Sequence, residues 1–364
     1  MPQILSFWSK TYLPLATEPG QYIPLYNKHN DRRLPFAAIV VLLSVLLNVY
    51  FVTTSYLSSY TNPLDNYQPL NHHPLIDESY MTHSNPSNSK YAIVTSLYGD
   101  AFAPAVATLG HTLRKTNTTA DLIVFYFDDK VSSSALCLAT SSGFVAQPVE
   151  RIPPPNNGRG VHRHFLDQFT KLRLWQLDQQ GYTGVVYLDA DTLVHRNLDE
   201  LFALPFNFAA VPDIFLDSRG FTLGFNAGVL FLHPSSSVFD DMVSKIALAQ
   251  FPAEDAEQSF LNHYFGAEAV RLPYAYNGNL AIKKRAPLLW QTTEPERRLV
   301  HFTMVKPFLG HDYAQVEFDD LEEHVVEMSK KKGGLYAPEV LWWGQEFNEW
   351  KRENSARISS CQRR

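Results

Sequence analysis

Apolar and polar positions divide the chain into stretches of contrasting character. Residues 36–52 read FAAIVVLLSVLLNVYFV, in which Ser44 and Asn48 are the polar members. As a helix rising about 1.5 Å per residue, this run sits at the short end of a membrane span. Lys28, Arg32 and Arg33 precede it, and the next charge after it is Asp65. Basic residues on the leading flank place that side in the cytosol, so the remainder faces the lumen. The run begins far from Met1 and no small-residue cleavage site follows it, which predicts a retained signal anchor, not a removable leader. The order expected is a cytosolic tail at 1–33, a transmembrane anchor at 34–53 and a lumenal stem at 54–89. The stem, with SSYTNPLDNYQPLNHHP and HSNPSNS, is too rich in Pro, Asn and Ser to build a core.

Beyond residue 90 the pattern alternates between apolar runs and helical periods. Residues 91–97 (YAIVTSL) read as a strand, 100–115 as a helix and 121–127 (DLIVFYF) as a second strand. Ser132-Ser133-Ser134 caps a short helix, and 144–149 is a third strand. After a Pro/Asn/Gly loop at 153–160, residues 165–177 are expected to be helical, with Leu166, Phe169, Leu172 and Trp175 on one face. A fourth strand, GVVYL at 184–188, runs into Asp189-Ala190-Asp191. Strands that are apolar throughout, separated by helices, indicate an α/β fold whose mostly parallel sheet is covered on both faces. In such folds ligands bind beyond the carboxyl ends of the strands. After about residue 330 the pattern becomes less regular, and Trp342-Trp343 reads as an exposed aromatic pair. The expected globular domain is therefore 90–330, with 331–364 as a C-terminal extension.

Composition narrows the function classes. A formal charge of −6 with no basic stripe argues against nucleic acid as a partner. A hydrophobic content of 45% is enough for a sizeable core and excludes wholesale disorder. Two cysteines, Cys137 and Cys361, exclude a disulfide scaffold and a zinc ribbon, while leaving open a bridge between them. Asn117-Thr118-Thr119 is an N-glycosylation sequon, whereas Asn85-Pro86-Ser87 is disqualified by its proline.

Candidate chemistry gathers at the end of the fourth strand. Residues two apart on a strand point to the same side, which brings the Asp189 and Asp191 carboxylates together at the end of a buried run. Like charges in that position repel unless a cation intervenes. A divalent metal removes the conflict and presents positive charge to an anion, most simply a diphosphate. A plainer reading has the acids cap the turn and a helix at 197–204. A second chemistry fits the same letters, that of haloacid dehalogenase-type phosphohydrolases, whose strand ends Asp-x-Asp-x-Thr. Here Thr192 comes one position early, and the pair lies about 100 residues into the domain, not on its first strand.

Eight segments in order now carry a likeness. They are VTSLYGDAF at 94–102, FTKLRLW at 169–175, YLDADT at 187–192, NLDELF at 197–202, FNAGVLFLHP at 225–234, AEQSFLNHYF at 256–265, Tyr276-Asn277, and VHFTMVKPF at 300–308. Together they resemble glycosyltransferase family 8, the retaining enzymes that include glycogenin and galactinol synthase. The resemblance spans residues 91–308 and implies a GT-A type fold, manganese (or another divalent metal) and a UDP-sugar donor.

What the resemblance implies can be weighed residue by residue. Asp189, Asp191 and His301 hold the metal, the imidazole beside two carboxylates suiting manganese better than the all-oxygen shell of magnesium. Lys306 reaches the donor diphosphate and offsets the charge of the departing nucleotide. Lys171 faces the nucleotide phosphates, although Asp167 four residues earlier offers it an ordinary surface ion pair. Thr95 and Tyr98 lie where base and ribose bind, and Ala190 sits between the two metal acids. Asn226, Ala227 and Gly228 open a buried strand, with Gly228 allowing close backbone approach and Asn226 bonding sugar hydroxyls. Glu257 and Gln258 are the catalytic candidates beside the donor sugar; Glu257 shares an inward face with Leu261 and Tyr264 and so needs a partner. The chain departs from glycogenin in having Glu257-Gln258 for Asp-Gln, Met304 where a glycine is usual in a loop one residue shorter, and Phe308 for tryptophan.

The function expected is a Golgi, single-pass type II, retaining hexosyltransferase acting on a glycan or glycoconjugate. A lumenal binding protein that keeps the fold without turnover is the alternative from another class.

Overall fold

The computed structural model describes residues 33–57, 89–266 and 268–363, in two units, Met1–Asn66 and Tyr67–Arg364. Of the tail expected at 1–33 and the stem expected at 54–89, residues 1–32 and 58–88 lie outside the described residues, the Lys28 and Arg32 flank, Asp65 and Asn85 among them.

In the first unit α1 runs Arg33–Leu57. Its window Phe36–Thr54 has a mean hydropathy of 2.4 and none of it is buried. The helix spans about 38 Å at 1.5 Å per residue, longer than the 17-residue run alone would give. Its polar side chains bond back to the helix itself: Asn48 Nδ2 donates to Ser44 O, Thr53 Oγ1 to Val49 O and Thr54 Oγ1 to Tyr50 O, each at 2.7 Å. Such internal satisfaction is what lets an apolar helix carry polar groups. One N-terminal apolar helix of this kind fits a single-pass membrane anchor.

The second unit begins with β1 (Lys90–Leu97), α2 (Ala103–Lys115), β2 (Asp121–Tyr126), α3 (Ser133–Thr140) and β3 (Val145–Pro148). A 3₁₀ stretch, Gln168–Gln180, leads to β4 (Tyr182–Leu188) and β5 (Thr192–Val194). Then come β6 (Phe208–Ile214), β7 (Phe221–Leu232), α4 (Ser236–Lys245), α5 (Ala256–Phe265), β8 (Val270–Arg271) and β9 (Gly278–Asn279). The chain ends with α6 (Leu280–Arg285), α7 (Pro287–Thr292), β10 (Leu299–His301), α8 (Leu321–Lys330), α9 (Ala337–Glu353) and α10 (Ser355–Cys361). The Ser132 side chain accepts from Ala135 N and caps α3, as the serine run predicts. The segment expected as a helix at 165–177 is instead 3₁₀, ended by Gly181 in the left-handed region at φ 81°.

Seven strands form one mixed, mostly parallel sheet in the order β3-β2-β1-β4-β7-β6-β8, and β5-β10-β9 form a small second sheet. The pairs β1–β2, β1–β4 and β2–β3 are parallel, while β7 runs antiparallel to both neighbours. Alternate residues feed the two faces. Ile93, Val186 and Phe231 enter the core under α2, and Val94, Tyr187 and Leu230 the core under α5. This is the expected α/β class: a mostly parallel sheet covered on both faces.

The C-terminal segment departs from the sequence reading. It holds two helices packed on the core, α9 and α10, and Trp343 is buried, not exposed. Val340, Trp343, Phe347 and Trp350 share one face at helical spacing and are 0–1% exposed. Trp342, on the other side of the doublet, stacks on His195 at 4.3 Å. Trp350 Nε1 donates to Ser141 Oγ at 3.0 Å. Cys137 on α3 is bridged to Cys361 on α10 across 224 residues, which closes the last helix onto the front of the domain. Replacing Cys361 by Ser is expected to lower stability by roughly 2–4 kcal/mol, read as a shift of the denaturant midpoint that reductant abolishes.

Candidate active site

The site is built where β4 ends. Asp189, Ala190 and Asp191 form a turn between β4 and β5, not the end of a strand as the alternation argument supposed. The turn is pinned from three sides: Asp189 N donates to Gly228 O at 2.9 Å, Thr192 Oγ1 to Asp189 O at 2.8 Å, and Phe302 N to Asp191 O at 2.9 Å. The acids therefore converge through backbone bonds to β7 and to the residue after β10. The helix expected at 197–204 is a 3₁₀ turn, Asp199–Ala203, and neither Asp189 nor Asp191 caps it.

His301, at the end of β10, meets the acid pair. Its Nε2 is 3.3 Å from Asp191 Oδ1 and 3.8 Å from Asp189 Oδ2, and one ligand atom from each of the three residues lies within 4.8 Å of the others. The tautomer follows from its neighbours. Asn277 Nδ2 donates to Asn226 Oδ1 at 3.0 Å, which leaves Asn277 Oδ1 as the acceptor facing His301 Nδ1 at 3.2 Å. The ring proton thus belongs on Nδ1, and Nε2 turns its lone pair to the acids. Gly228 makes room for this meeting: a Cβ there would lie 2.3 Å from His301 Cε1 and 2.9 Å from Asp189 Oδ2.

Two ammonium groups offset the acids. Lys306 donates to Asp191 Oδ2. Burial by itself raises the Asp191 carboxyl, but Lys306 and His301 outweigh it and hold the group well below its ordinary range. Lys171 is 2% exposed and has all three donors engaged: 2.7 Å to Glu257 Oε1, 3.0 Å to Ala227 O and 3.3 Å to Asp189 Oδ1. The surface pair with Asp167 does not form, because Asp167 pairs with Lys130 and Arg151. Lys171 is therefore placed differently from the phosphate-facing expectation: it ties Glu257 to Asp189. Burial lowers the Lys171 ammonium, yet Asp189 and Glu257 raise it further, so it stays charged. Burial raises Glu257, against the pull of Lys171. Glu257 faces inward as its spacing predicts, reached through Ala256 at φ 49°, a conformation that costs a non-glycine residue of order 1–3 kcal/mol.

Amides extend the cluster toward β6. Asn226, Ala227 and Gly228 lie inside β7, not at its opening. Gln258 Oε1 accepts from Ala227 N at 2.9 Å, and Gln258 Nε2 donates to Asp213 Oδ2 at 2.9 Å. Asn226 Oδ1 accepts from Gly228 N and from Asn277, so this side chain is a hub within the protein. Asp213 is 5% exposed, and burial raises its carboxyl. The sequence reading passed over Asp213, a lone acid near the end of the buried run FAAVPDI. Also missed were the positioning role of Asn277 and Tyr187, whose hydroxyl donates to Asp189 Oδ1 at 2.9 Å. At the end of β1, the buried Thr95 Oγ1 and Tyr98 hydroxyl have no hydrogen-bond partner among the described residues, with the Tyr98 ring stacked on Phe127 at 4.5 Å.

Residues 156–310 match the family model for glycosyl transferase family 8. The chain carries a glycosyltransferase family 8 domain. That match encloses Lys171, the Asp189–Asp191 turn, Gly228, Glu257, Asn277, His301 and Lys306, and leaves Thr95 and Tyr98 outside it. Inositol phosphorylceramide glucuronosyltransferase 1 of Arabidopsis thaliana is 33% identical over 180 residues, 49% of this chain and 30% of its own length. The chain thus spans less than a third of that relative. Galactinol synthase 1 of Ajuga reptans is 29% identical over 286 residues, 70% of this chain and 83% of its own. Among solved structures, the glycosyltransferase GlyE of Streptococcus pneumoniae TIGR4 is similar at a TM-score of 0.45 and 20% identity, covering 73% of this chain and 64% of that one.

The donor set of the family 8 domain fits a divalent cation. Three carboxylates, Asp189, Asp191 and Glu257, meet two ammonium groups, which leaves one negative charge over. An imidazole nitrogen with a free lone pair stands beside the two acids, and Gly228 supplies the gap that lets them close on one point.

Gly228→Ala is expected to weaken Mn2+ binding roughly ten- to a hundredfold, measured by calorimetric titration of the metal alone. Lys171→Met leaves buried carboxylates without their cation and is expected to cost roughly 3–5 kcal/mol of stability. Adding Glu257→Gln to Lys171→Met should return part of that loss in a denaturation cycle.

Proposed function

We propose that this chain is a Mn2+-dependent retaining hexosyltransferase that moves a sugar from a UDP-sugar to a glycan or glycoconjugate. It would be held in the Golgi membrane by α1 as a type II protein, with the family 8 domain in the lumen. The observation that carries the reading is the convergence of Asp189, Asp191 and the Nε2 of His301 within 4.8 Å in a family 8 domain. The buried, unpartnered Thr95 Oγ1 and Tyr98 hydroxyl support a nucleotide at the end of β1, since buried polar atoms are normally satisfied. The Cys137–Cys361 bridge suits an oxidising compartment. Asn117 stands exposed in a left-handed turn at φ 55°, open to glycosylation there.

When bound by Asp189, Asp191 and His301, the metal neutralises the donor diphosphate. The protein's own groups do the rest. Lys306, whose Nζ donates to Phe302 O at 3.4 Å as well as to Asp191, offers an ammonium to the leaving nucleotide and so stabilises the charge that grows as the glycosidic bond breaks. Asn277 holds the proton on His301 Nδ1 and keeps Nε2 available. Asp213, through Gln258, and Asn226 orient the wall against which the donor sugar lies. Glu257 is fixed by its pair with Lys171 at 2.7 Å, a carboxyl group facing the sugar carbon that becomes electron-poor. The relatives' names point to neutral sugars and to glucuronate alike, so the donor is tested as a panel.

The test is donor hydrolysis and UDP binding by the full-length chain over a set of UDP-sugars, with Mn2+ and with chelator. One UDP-sugar should be turned over only with metal, and Asp191→Asn should lower the rate by roughly a hundred- to a thousandfold. A chain that binds no UDP with Mn2+ present overturns the reading. Tight UDP binding with no turnover of any donor assigns it instead to a binding protein.

A further inference from the structure

Where α9 packs on α2, a second group of metal-type donors gathers, away from the acid–imidazole cluster. His111 on α2 and Glu346 and Glu349 on α9 each bring a ligand atom within 4.8 Å of the others. His111 is 6% exposed, and its buried Nε2 has no hydrogen-bond partner among the described residues. The nearest carboxylate oxygen, Glu346 Oε2, is 3.6 Å away. That is too long for a hydrogen bond and close to the roughly 3.3 Å that separates two ligands of a tetrahedral zinc with bonds near 2.0–2.1 Å.

The surroundings complete the pattern. Glu353 Oε2 lies 3.7 Å from the other ring nitrogen, Nδ1, the side on which metal-bound histidines meet a carboxylate that keeps the proton there. The second oxygen of Glu346 accepts from Trp342 Nε1 at 3.1 Å, which fixes the carboxylate. A cation already occupies the place between the acids: Lys115 Nζ is 2.8 Å from Glu346 and 2.9 Å from Glu349. Its side chain is 44% exposed, so it can swing into water and yield. A cleft lined by His111, Arg114, Lys115, Ser142, Glu353 and Asn354 opens onto the ring and gives a path in.

We propose that His111, Glu346 and Glu349 form a zinc site that exchanges Zn2+ for the Lys115 ammonium and ties the C-terminal helix α9 to α2. An imidazole with carboxylates in a four-coordinate shell is zinc chemistry, with a water from the cleft as fourth ligand. Both cysteines are in the bridge, so no thiolate competes. The site shares no residue with the sugar-transfer site and does not depend on that assignment.

The experiment uses the full-length chain in detergent, stripped of metal and titrated with zinc chloride against a chromophoric chelator. An Asp191→Asn background removes binding at the other cluster. His111→Asn in that background should lose one equivalent of zinc and the zinc-induced rise in thermal midpoint. Glu349→Gln, a change at a partly exposed carboxylate that leaves the fold intact, should weaken that zinc at least tenfold. Should His111→Asn not fold, the Glu349→Gln titration decides alone. Unchanged stoichiometry in His111→Asn, or unchanged affinity in Glu349→Gln, overturns the proposal.

Discussion

The central constraint on this molecule is the cost of holding carboxylates out of water at one end of a sheet. Asp191, Glu257 and Asp213 are each 5–6% exposed, and an isolated buried charge is among the most expensive things a fold can contain. The chain answers with cations brought from distant sequence: Lys171 from the 3₁₀ stretch before β4, Lys306 from the loop after β10. Each is itself buried or half-buried, so each cation needs its acids as much as they need it. The result is a set of charges that fixes the relative positions of β4, β7, α5 and β10 before any ligand arrives.

Neutral groups then set the finer geometry. A chain of amides runs from Asp213 through Gln258 and Asn226 to Asn277 and ends on the Nδ1 of His301. Every link is directional, because an amide that donates from nitrogen must accept at oxygen. The proton on the far imidazole is therefore specified by hydrogen bonds that begin on another strand. Gly228 contributes by absence, since any side chain there collides with the ring and with Asp189.

The C-terminal helices belong to the same logic of closure. Trp343, Phe347 and Trp350 seal the face of the sheet that α2 and α3 leave incomplete, and the bridge from Cys361 to Cys137 removes the freedom of the chain end to leave. α9 thereby presents Glu346, Glu349 and Glu353 to His111 at a fixed distance, and the polar cluster there is a consequence of apolar packing around it.

Much of this was legible in the residues alone. The apolar run at 36–52, the strand order from β1 to β4 and the inward-facing Glu257 follow from local periodicity, which a linear chain displays directly, whereas Asp189 and Asp191 were legible as letters and meet through a turn held by β7 and the residue after β10. Distance in space is what the chain cannot display. The irregular look of residues 331–364 hid a helical stripe because Trp342 and Trp343, adjacent in sequence, point to opposite sides of α9. Lys171 could be paired on paper with Asp167, four residues away, but burial gave it Glu257 and Asp189 instead, 86 and 18 positions on. Asn277 carried no readable role because its work is to orient another residue's proton. Local pattern, then, determined which segments would be strands, helices and anchor, since it follows from which side chains avoid water. Only the folded chain decided which charges meet and which tautomer faces the acids, because those depend on contacts between segments brought together by the sheet.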